Sequence, residues 1–447
     1  MKRRQFLQSA AAAMAAPKSA PPNLVFIMPD QWRGMALGCA GNEQVRTPNL
    51  DRLASEGVQF TNTTANCPVC TPARGILLTG KYPHATGTGV NDVLLPLGEP
   101  TIAKALSASG YYTGFVGKWH LEGGKRMPGF VPPGPHRQGF QFWAANICSH
   151  DYLHQQYFRD DPAPLKISGY DAPGWTDLAI EFLEKATHPG RPFCLFLEYP
   201  TPHNPYLLAP GFETAHDPAK IRLRKNWKPS LPKLSAPADI AGYYSAIDCL
   251  DRHIGRLLAK LDKLGARDNT IVVFTSDHGD MLGSHGTVLK RKPWEESVLV
   301  PGIVRWPAAL KAGRKSDAML SHVDMVPTLL GLCGVRPQGA MHGFDYSGYL
   351  LGRQERTPEF SHLMIYTQTE NNEFGPWRGL RSRQYKYARF QDKPWVLYDL
   401  EKDPFEMENL VEKPSSSQLV KKFDREIVAV MERTGDRWEE QKDAAYR

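Results

Sequence analysis

The sequence contains no apolar run that approaches the roughly 18 residues of a membrane-spanning helix, so we expect no transmembrane helix. It also carries little net charge, because 54 Lys and Arg residues against 47 Asp and Glu residues give +7 at pH 7. Removal of Lys2, Arg3 and Arg4 alone would reduce this value to 7 − 3 = +4. So mild an excess of positive charge gives no support to a nucleic-acid partner.

Cysteine is scarce as well, with 7 residues scattered along 447: Cys39, Cys67, Cys70, Cys148, Cys194, Cys249 and Cys333. This density is too low for a disulfide scaffold. The one Cys-x-x-Cys pair, Cys67 and Cys70, has no second pair to complete a zinc site. It also lacks the preceding strand of a thioredoxin-like redox motif. A simple thiolate nucleophile is therefore a better interpretation than a redox pair or a metal clip.

Residues 1–20, MKRRQFLQSAAAAMAAPKSA, begin with basic residues and continue with a short, alanine-rich apolar stretch. This pattern is typical of an export signal, and Arg3-Arg4 followed by QFL resembles the twin-arginine type. The alternative is a disordered basic tail. An export signal of this type predicts a periplasmic or secreted protein that meets the twin-arginine export machinery already folded. Any modification or cofactor would then be installed in the cytoplasm.

Strand and helix patterns alternate along most of the chain. The first apolar run, NLVFIMPDQ, fits a strand that is buried on both faces of a parallel sheet. The predicted strands cover residues 23–31, 111–120, 192–203 and 269–280, and the helical patterns lie within residues 47–60, 101–110, 174–186 and 245–265. This alternation predicts an α/β fold with a large, mostly parallel sheet flanked by helices.

The pattern changes after about residue 350. Residues 379–390 and 394–404 fit an antiparallel pair of strands, and residues 417–435 fit an amphipathic helix. We therefore expect a smaller C-terminal α+β subdomain at 351–447, behind a larger domain at 21–350.

Two stretches of the larger domain, 122–173 and 200–239, are rich in Pro, Gly and His and show no periodicity. Loops of such length are uncommon unless they shape a binding site. We expect both stretches to border one.

Four predicted strands lead directly into reactive side chains: Asp30 and Gln31, Lys118 and His120, His203, and Asp277 and His278. In open α/β sheets, ligands bind beyond the carboxyl ends of the strands. Each of these residues alone has a structural explanation, such as a helix cap or a core imidazole. Together they predict one cleft that holds oxygen ligands, imidazoles and a lysine.

The stretch CPVCTPARGILLTG, residues 67–80, predicts a helix that begins near Cys70. Pro72 suits the first turn of a helix, and Thr79-Gly80 suits its end. Free N–H groups and the helix dipole favour an anion at a helix N-terminus. Arg74, one turn further on, could bind the same anion or steady the Cys70 loop.

Cys70-Thr71-Pro72-Ala73-Arg74, followed after four residues by Thr79-Gly80, resembles the signature of the type I sulfatases, members of the alkaline phosphatase-like superfamily. In that family the cysteine of Cys-x-Pro-x-Arg is oxidised to formylglycine by a formylglycine-generating enzyme. The resemblance extends to five further segments: MPDQWRGMALGCAG, GKWH, TPHNPY, SDHGDMLGSHGTVLKRKPWEES and WVLYDLEKDPFEMENL. It implies that Cys70 is modified and that Cys67 is a bystander.

The resemblance also implies roles for the residues of the cleft. The divalent metal ligands would be Asp30, Gln31, modified Cys70, Asp277 and His278. Lys118, Lys290 and Arg74 would balance charge on the sulfate oxygens, His203 with Lys290 would protonate the leaving alcohol, and His120 would take the remaining proton of the formylglycine hydrate. Calcium is the usual ion of the family. Gln31 replaces a carboxylate, and with His278 it also suits manganese or another softer ion.

The implied activity is hydrolysis of an organic sulfate ester, on a small molecule or a sulfated saccharide, with Arg378 and Arg381 reaching the substrate from the C-terminal subdomain. Two alternatives stay open. The Asp-Gln and Asp-His pairing also resembles the phosphonate monoester hydrolases, which use the same formylglycine, so a phosphonate or phosphate diester substrate is possible. A non-catalytic binder of sulfated glycans would keep the fold and lack the aldehyde.

Overall fold

The computed structural model describes residues 20–124, 126–187, 190–229, 236–366 and 374–438. The predicted signal peptide, residues 1–20, lies outside these residues except for its last position. Among the described residues, none of the helices combines the length and the apolar character that a membrane crossing requires.

The strands of the described residues are β1 Asn23–Pro29, β2 Val58–Phe60, β3 Tyr112–Lys118, β4 Phe142–Asn146, β5 Gln156–Tyr157, β6 Leu165–Lys166, β7 Phe193–Tyr199, β8 Thr270–Phe274, β9 Ile303–Arg305, β10 Arg314–Ser316, β11 Ser361–Ile365, β12 Trp377–Arg381, β13 Tyr385–Arg389 and β14 Pro394–Asp399. The main sheet has the order β10-β2-β9-β8-β1-β7-β3-β4. Only β9 runs antiparallel to its neighbours in this described sheet, and the other pairings are parallel. The predicted α/β class with a mostly parallel sheet is confirmed.

The helices of the described residues are α1 Pro48–Ser55, α2 Cys70–Thr79, α3 Pro83–Thr86, α4 Ile102–Ala108, α5 Asp171–Ala186, α6 Pro237–Lys263, α7 Glu295–Val298, α8 His322–Cys333, α9 Ser347–Leu350 and α10 Ser417–Thr434. Helix α6 begins eight residues before the predicted start at 245, because Pro237 occupies its first turn and Asp239 accepts a hydrogen bond from the Ala236 N–H. The pattern over 47–60 is a helix followed by the short strand β2.

Both faces of the main sheet are covered. Successive side chains of β1 alternate between two apolar clusters: Val25 and Ile27 face the one that includes α5 and α6, while Leu24, Phe26 and Met28 face the other, which includes parts of α2, α4 and α8. This alternation follows from the two-residue period of a strand. The central strands are therefore fixed from both sides, and so are the residues that follow them.

The C-terminal subdomain is a four-stranded antiparallel sheet, β11-β12-β13-β14, in the described residues. The predicted strand at 379–390 is in fact two strands, because the chain turns between Arg381 and Tyr385. Helix α10 buries Phe423, Ile427 and Val430. The predicted α+β character of this part is confirmed.

Candidate active site

Asp30, Cys70, Asp277 and His278 meet beyond the ends of β1 and β8. Each of these residues offers one ligand atom, and the four atoms lie within 4.8 Å of one another. All four side chains are buried. The Asp30 N–H donates to the Tyr199 carbonyl on the adjacent strand, which fixes the carboxylate at the sheet edge. The structure therefore brings these four of the predicted site residues together.

The donor set of this cluster suits a divalent cation. His278 Nδ1 lies 3.0 Å from the Gly279 carbonyl and donates to it, so that Nε2 presents its lone pair to the cluster. That nitrogen is 3.3 Å from Cys70 Sγ and 3.6 Å from one carboxylate oxygen each of Asp30 and Asp277. Asp30 Oδ1 is buried with no hydrogen-bond partner among the described residues. An unpaired buried carboxylate oxygen costs free energy that a bound cation would offset.

Gln31 differs from the expectation. Its amide oxygen accepts a hydrogen bond from Lys290 Nζ at 2.8 Å, and its Nε2 donates to Asp280 Oδ2 at 2.7 Å. The Gln31 amide oxygen is thus hydrogen-bonded to a lysine in this structure, and its metal-ligand role stays a prediction. Gln31 links Lys290 to Asp280, a residue that sequence reasoning missed although it lies three positions beyond Asp277.

Arg74 also has a different role from the one expected. It is 1% exposed, and its guanidinium contacts Glu198, Asp277 and Asp30 and donates to the Lys118 carbonyl at 2.8 Å. These contacts make Arg74 a shared counter-ion of three carboxylates rather than a ligand of the sulfate oxygens. Glu198 was missed, although a charged residue inside the apolar strand FCLFLEY is a signal for it.

The two cysteines of the Cys-x-x-Cys pair have opposite properties. Burial favours a protonated Cys70, but the positive charges of Lys290 and Lys118 outweigh it and hold the pKa of this thiol well below its usual range. Burial raises the pKa of Cys67 to about 12, and its side chain packs in an apolar cluster. Reactive cysteines need positive charge that outweighs the effect of burial. Cys70 meets this condition, whereas the charges of Arg291 and Arg378 do not offset the burial of Cys67.

His120 is oriented by a residue that the sequence analysis did not select. Its Nε2 lies 2.9 Å from Asp92 Oδ1 and donates to it, whereas Nδ1 is buried with no partner among the described residues. Helix α2 is tied to the same place, because Thr71 Oγ1 donates to the His120 carbonyl at 2.9 Å. The Thr71 N–H in turn donates to Asn91 Oδ1 at 3.0 Å. The base predicted at His120 is therefore held next to the N-terminus of the Cys70 helix.

His203 and His150 form a stacked pair at the mouth of the cleft. Their rings lie 4.1 Å apart at an angle of 4°. His203 Nδ1 donates to the Asn204 carbonyl, and its Nε2 accepts a hydrogen bond from Lys290 Nζ at 2.7 Å. His150 Nε2 accepts one from Lys118 Nζ at 3.3 Å. Nothing in the pattern of the 122–173 stretch selected His150 from its neighbours His154 and His136.

Lys290 stands on a turn that the C-terminal subdomain supports. The residues on either side of it, Leu289 and Arg291, have φ angles of 64° and 74°. Such left-handed conformations cost side chains free energy and persist where surrounding structure holds them. Trp377 of β12 provides one such contact, because its Nε1 donates to the Arg291 carbonyl at 3.1 Å.

The expectation that Arg378 and Arg381 reach the substrate is contradicted. Arg378 is 3% exposed and binds Asp436 through Nε and Nη2 at 2.6 and 2.9 Å. Arg381 is 4% exposed and binds Glu295 through Nε and Nη2. Arg378 joins β12 to Asp436 and Arg381 joins it to Glu295, and within the described part of the chain neither side chain makes a hydrogen bond or ion pair with the cluster at Cys70.

The family model described as Sulfatase matches residues 22–335, and the one described as N-sulphoglucosamine sulphohydrolase, C-terminal, matches residues 283–433. The first covers more than half of the chain. The chain belongs to the sulfatase family, and it is a sulfuric ester hydrolase.

Among its relatives is the ulvan-active sulfatase of Formosa agariphila, which is 37% identical over 424 residues, 93% of this chain and 82% of that protein. The N-acetylglucosamine-6-O-sulfatase of Bacteroides thetaiotaomicron is 28% identical over 92% of this chain and 86% of its own length. A solved structure in complex with its substrate, D-glucosamine-2-N,6-O-disulfate, superposes with a TM-score of 0.82 at 26% identity, covering 95% of this chain and all of that one.

Proposed function

We propose that this protein is an exported sulfatase that removes sulfate from a saccharide, with formylglycine made from Cys70 as its nucleophile and a divalent cation as its cofactor. One observation carries the proposal: side chains of four kinds surround Cys70. They are the carboxylates of Asp30 and Asp277, His278 Nε2, the lysines Lys118 and Lys290, and the histidines His120 and His203. A plain binder has no need of groups that move protons.

Asp30, Asp277 and His278 are the residues that would hold the cation. Calcium fits the carboxylates, and the imidazole also admits manganese or a softer ion. When bound, the cation would supply Lewis acidity that makes a hydroxyl of the hydrated aldehyde a better nucleophile. Arg74 would keep both carboxylates in place, because its Nη2 lies 3.3 Å from Asp30 and 3.1 Å from Asp277.

The other residues divide the handling of the sulfate and of the protons. Lys118 and Lys290 lie close enough to Cys70 for their charges to lower its pKa, and they would neutralise charge on the sulfate oxygens as it develops. Lys290 Nζ donates to His203 Nε2 at 2.7 Å, so this pair would protonate the leaving alcohol with a proton that comes from the Lys290 ammonium and passes through His203 Nε2, leaving Lys290 neutral. His120 would take a proton through Nδ1, because its Nε2–H is held by Asp92. Asp92 would fix the tautomer that this step requires.

The saccharide substrate is supported by the relatives, whose names specify ulvan and N-acetylglucosamine 6-sulfate. Export to the periplasm or out of the cell is supported by the leader pattern of residues 1–20. The formylglycine-generating enzyme and the twin-arginine export machinery would be its partners in maturation.

The mass of the tryptic peptide Leu53–Arg74 tests the nucleophile directly, with protein produced alongside a formylglycine-generating enzyme. We expect one thiol, that of Cys70, to be replaced by an aldehyde that reacts with a hydrazine, while Cys67 stays alkylatable. Two intact thiols in this peptide would contradict the mechanism and would favour a plain cysteine nucleophile or a binding role.

A phosphonate or phosphate diester hydrolase is the second candidate, and the presence of His278 in the cluster with Gln31 beside it is the observation that favours it. Matched aryl sulfate and aryl phosphonate esters with the same phenol separate the two. A higher kcat/KM for the sulfate is expected, and a higher kcat/KM for the phosphonate would reverse the assignment.

A further inference from the structure

Arg126 lies at the mouth of the cleft, and only the Nε side of its guanidinium is hydrogen-bonded in the described part of the chain. Its Nε donates to Asp92 Oδ2 at 2.8 Å and to Asp92 Oδ1 at 3.1 Å. Within the described part of the chain, Nη1 and Nη2 make no hydrogen bond, and the side chain is 47% exposed. Asp92 is 5% exposed, so one end of the guanidinium is anchored by a buried carboxylate.

The surroundings of Arg126 place it beside the reacting groups. Asp92 Oδ1 also receives the His120 hydrogen bond at 2.9 Å, so a single carboxylate oxygen separates Arg126 from the predicted base. On its other side, the Met127 carbonyl accepts a hydrogen bond from the Cys148 N–H, two residues before His150. The segment that carries Arg126 therefore contacts two parts of the chain that reach the cleft, one at Asp92 and the other at Cys148. The negative charge of Cys70 is among the causes that raise the pKa of Arg126, after Asp92.

The geometry points to a second anion-binding position: we propose that Nη1 and Nη2 of Arg126 bind a carboxylate or a further sulfate of the saccharide, next to the sulfate that is removed. This rests on the proposed function, since it assigns the substrate class of the same site. A guanidinium presents pairs of parallel N–H donors that match a carboxylate or a sulfate. Because Asp92 already fixes the plane of the group, less side-chain entropy is lost on binding. The natural substrate is then a saccharide with at least two anionic groups.

Two exposed apolar side chains next to this position fit the same ligand. Met127, which follows Arg126, is 53% exposed. Leu94, which forms an isolated β-bridge with Glu122, is 39% exposed. Apolar side chains exposed around a polar pocket are typical of ligand-binding grooves. The C–H faces of a sugar ring would pack there while its anionic group meets Arg126.

The test compares kcat/KM for saccharides that carry the same scissile sulfate and differ in the second group. One pair is N-acetylglucosamine 6-sulfate and glucosamine 2-N,6-O-disulfate, and the second is a monosulfated disaccharide with a uronate or with the matching neutral sugar. Sulfate release is measured for wild type, Arg126→Ala, Arg126→Lys and the control Arg222→Ala, an exposed arginine paired with Glu43.

We expect wild type to prefer the dianionic member of at least one pair, and Arg126→Ala to reduce that preference by about 10- to 100-fold, the effect of losing a charge-assisted hydrogen-bond pair. Arg126→Lys should lose part of it and Arg222→Ala none. Which pair responds tells a sulfate from a carboxylate. Equal losses on both members of both pairs would overturn the inference. By contrast, a formylglycine-bearing wild type that releases sulfate from no ester would contradict the proposed function itself.

Discussion

Substitution of His150 tests how the predicted acid, His203, is held in place. Two contacts connect His150 to the chemistry: the 4.1 Å stack on His203 and the 3.3 Å hydrogen bond from Lys118 Nζ. His150→Phe keeps a ring for the stack and removes the acceptor, whereas His150→Ala removes both. The two variants therefore separate the contributions.

The expected losses follow from the strength of each contact. A hydrogen bond to a charged group contributes about 1.5–3 kcal/mol, which corresponds to about a 10- to 100-fold lower kcat/KM for His150→Phe. Loss of the ring pair adds about 0.5–1.5 kcal/mol, which is a further 2- to 10-fold, roughly, for His150→Ala.

The assay compares two sulfate esters whose leaving groups differ in pKa, a nitrophenol and a sugar alcohol. Because His203 protonates the leaving oxygen, a displaced His203 should harm the sugar sulfate far more than the nitrophenyl sulfate. His154→Ala is the matched control, since His154 lies on the same loop with its side chain 80% exposed. Equal losses for both esters in His150→Ala, or identical behaviour of the two variants, would refute the positioning role.

The remaining predictions concern the cysteines, one arginine and one buried acid. Cys70→Ala should abolish turnover while Cys67→Ala keeps kcat within about 2-fold, because the latter only fills an apolar cluster; equal activity of the two in a sulfate-release assay would contradict the assignment. Arg381→Ala should lower Tm by removing one of the two cations that pair with buried Glu295, the other being Lys386, at a cost of at most about 3–5 kcal/mol, without changing the preference between sulfate esters; a changed preference at unaltered Tm would restore its substrate role. Burial raises the pKa of Asp171 to about 8, above its unfolded value, so the protonated folded form is stable at low pH and stability falls as the pH rises from about 4 to 8. Asp171→Asn should therefore raise Tm more at pH 8 than at pH 5 in a thermal melt, and an equal gain at both would show that this carboxyl is ionised in the folded protein.

The sequence was sufficient for the fold and for the residues at the strand ends. A reactive residue that follows an apolar strand lies at the carboxyl edge of the sheet, and this position can be predicted from the sequence. Four residues could be found in this way: Asp30, Lys118, His203 and Asp277. What could not be found are partners set by tertiary contacts. Asp92 is recognised as a functional residue through its contact with His120, which is 28 residues away in the sequence.

The errors at Arg378 and Arg381 have the same origin. A sequence shows the charge of a side chain but not its burial, and a run of arginines on a strand suggests an exposed basic surface. The partner of Arg381, Glu295, is 86 residues distant. The contact of Gln31 with Lys290 was missed for a related reason, because the two residues are 259 positions apart.

The support that β12 gives to the turn at Lys290 has a consequence for the order of biosynthesis. The ribosome completes Trp377 some 87 residues after Lys290, as 377 − 290 gives, so a nascent chain can form the main sheet and the Cys70 helix well before the lysine has its final support. The C-terminal match beginning at residue 283 contains the lysine and its supporting strand together. A chain cut off before β12 would lack the Trp377 contact that supports the turn at Lys290, and Cys67 and Val69 beside the Cys70 helix would lose an apolar neighbour. We therefore expect turnover only from a chain that has been synthesised past β12.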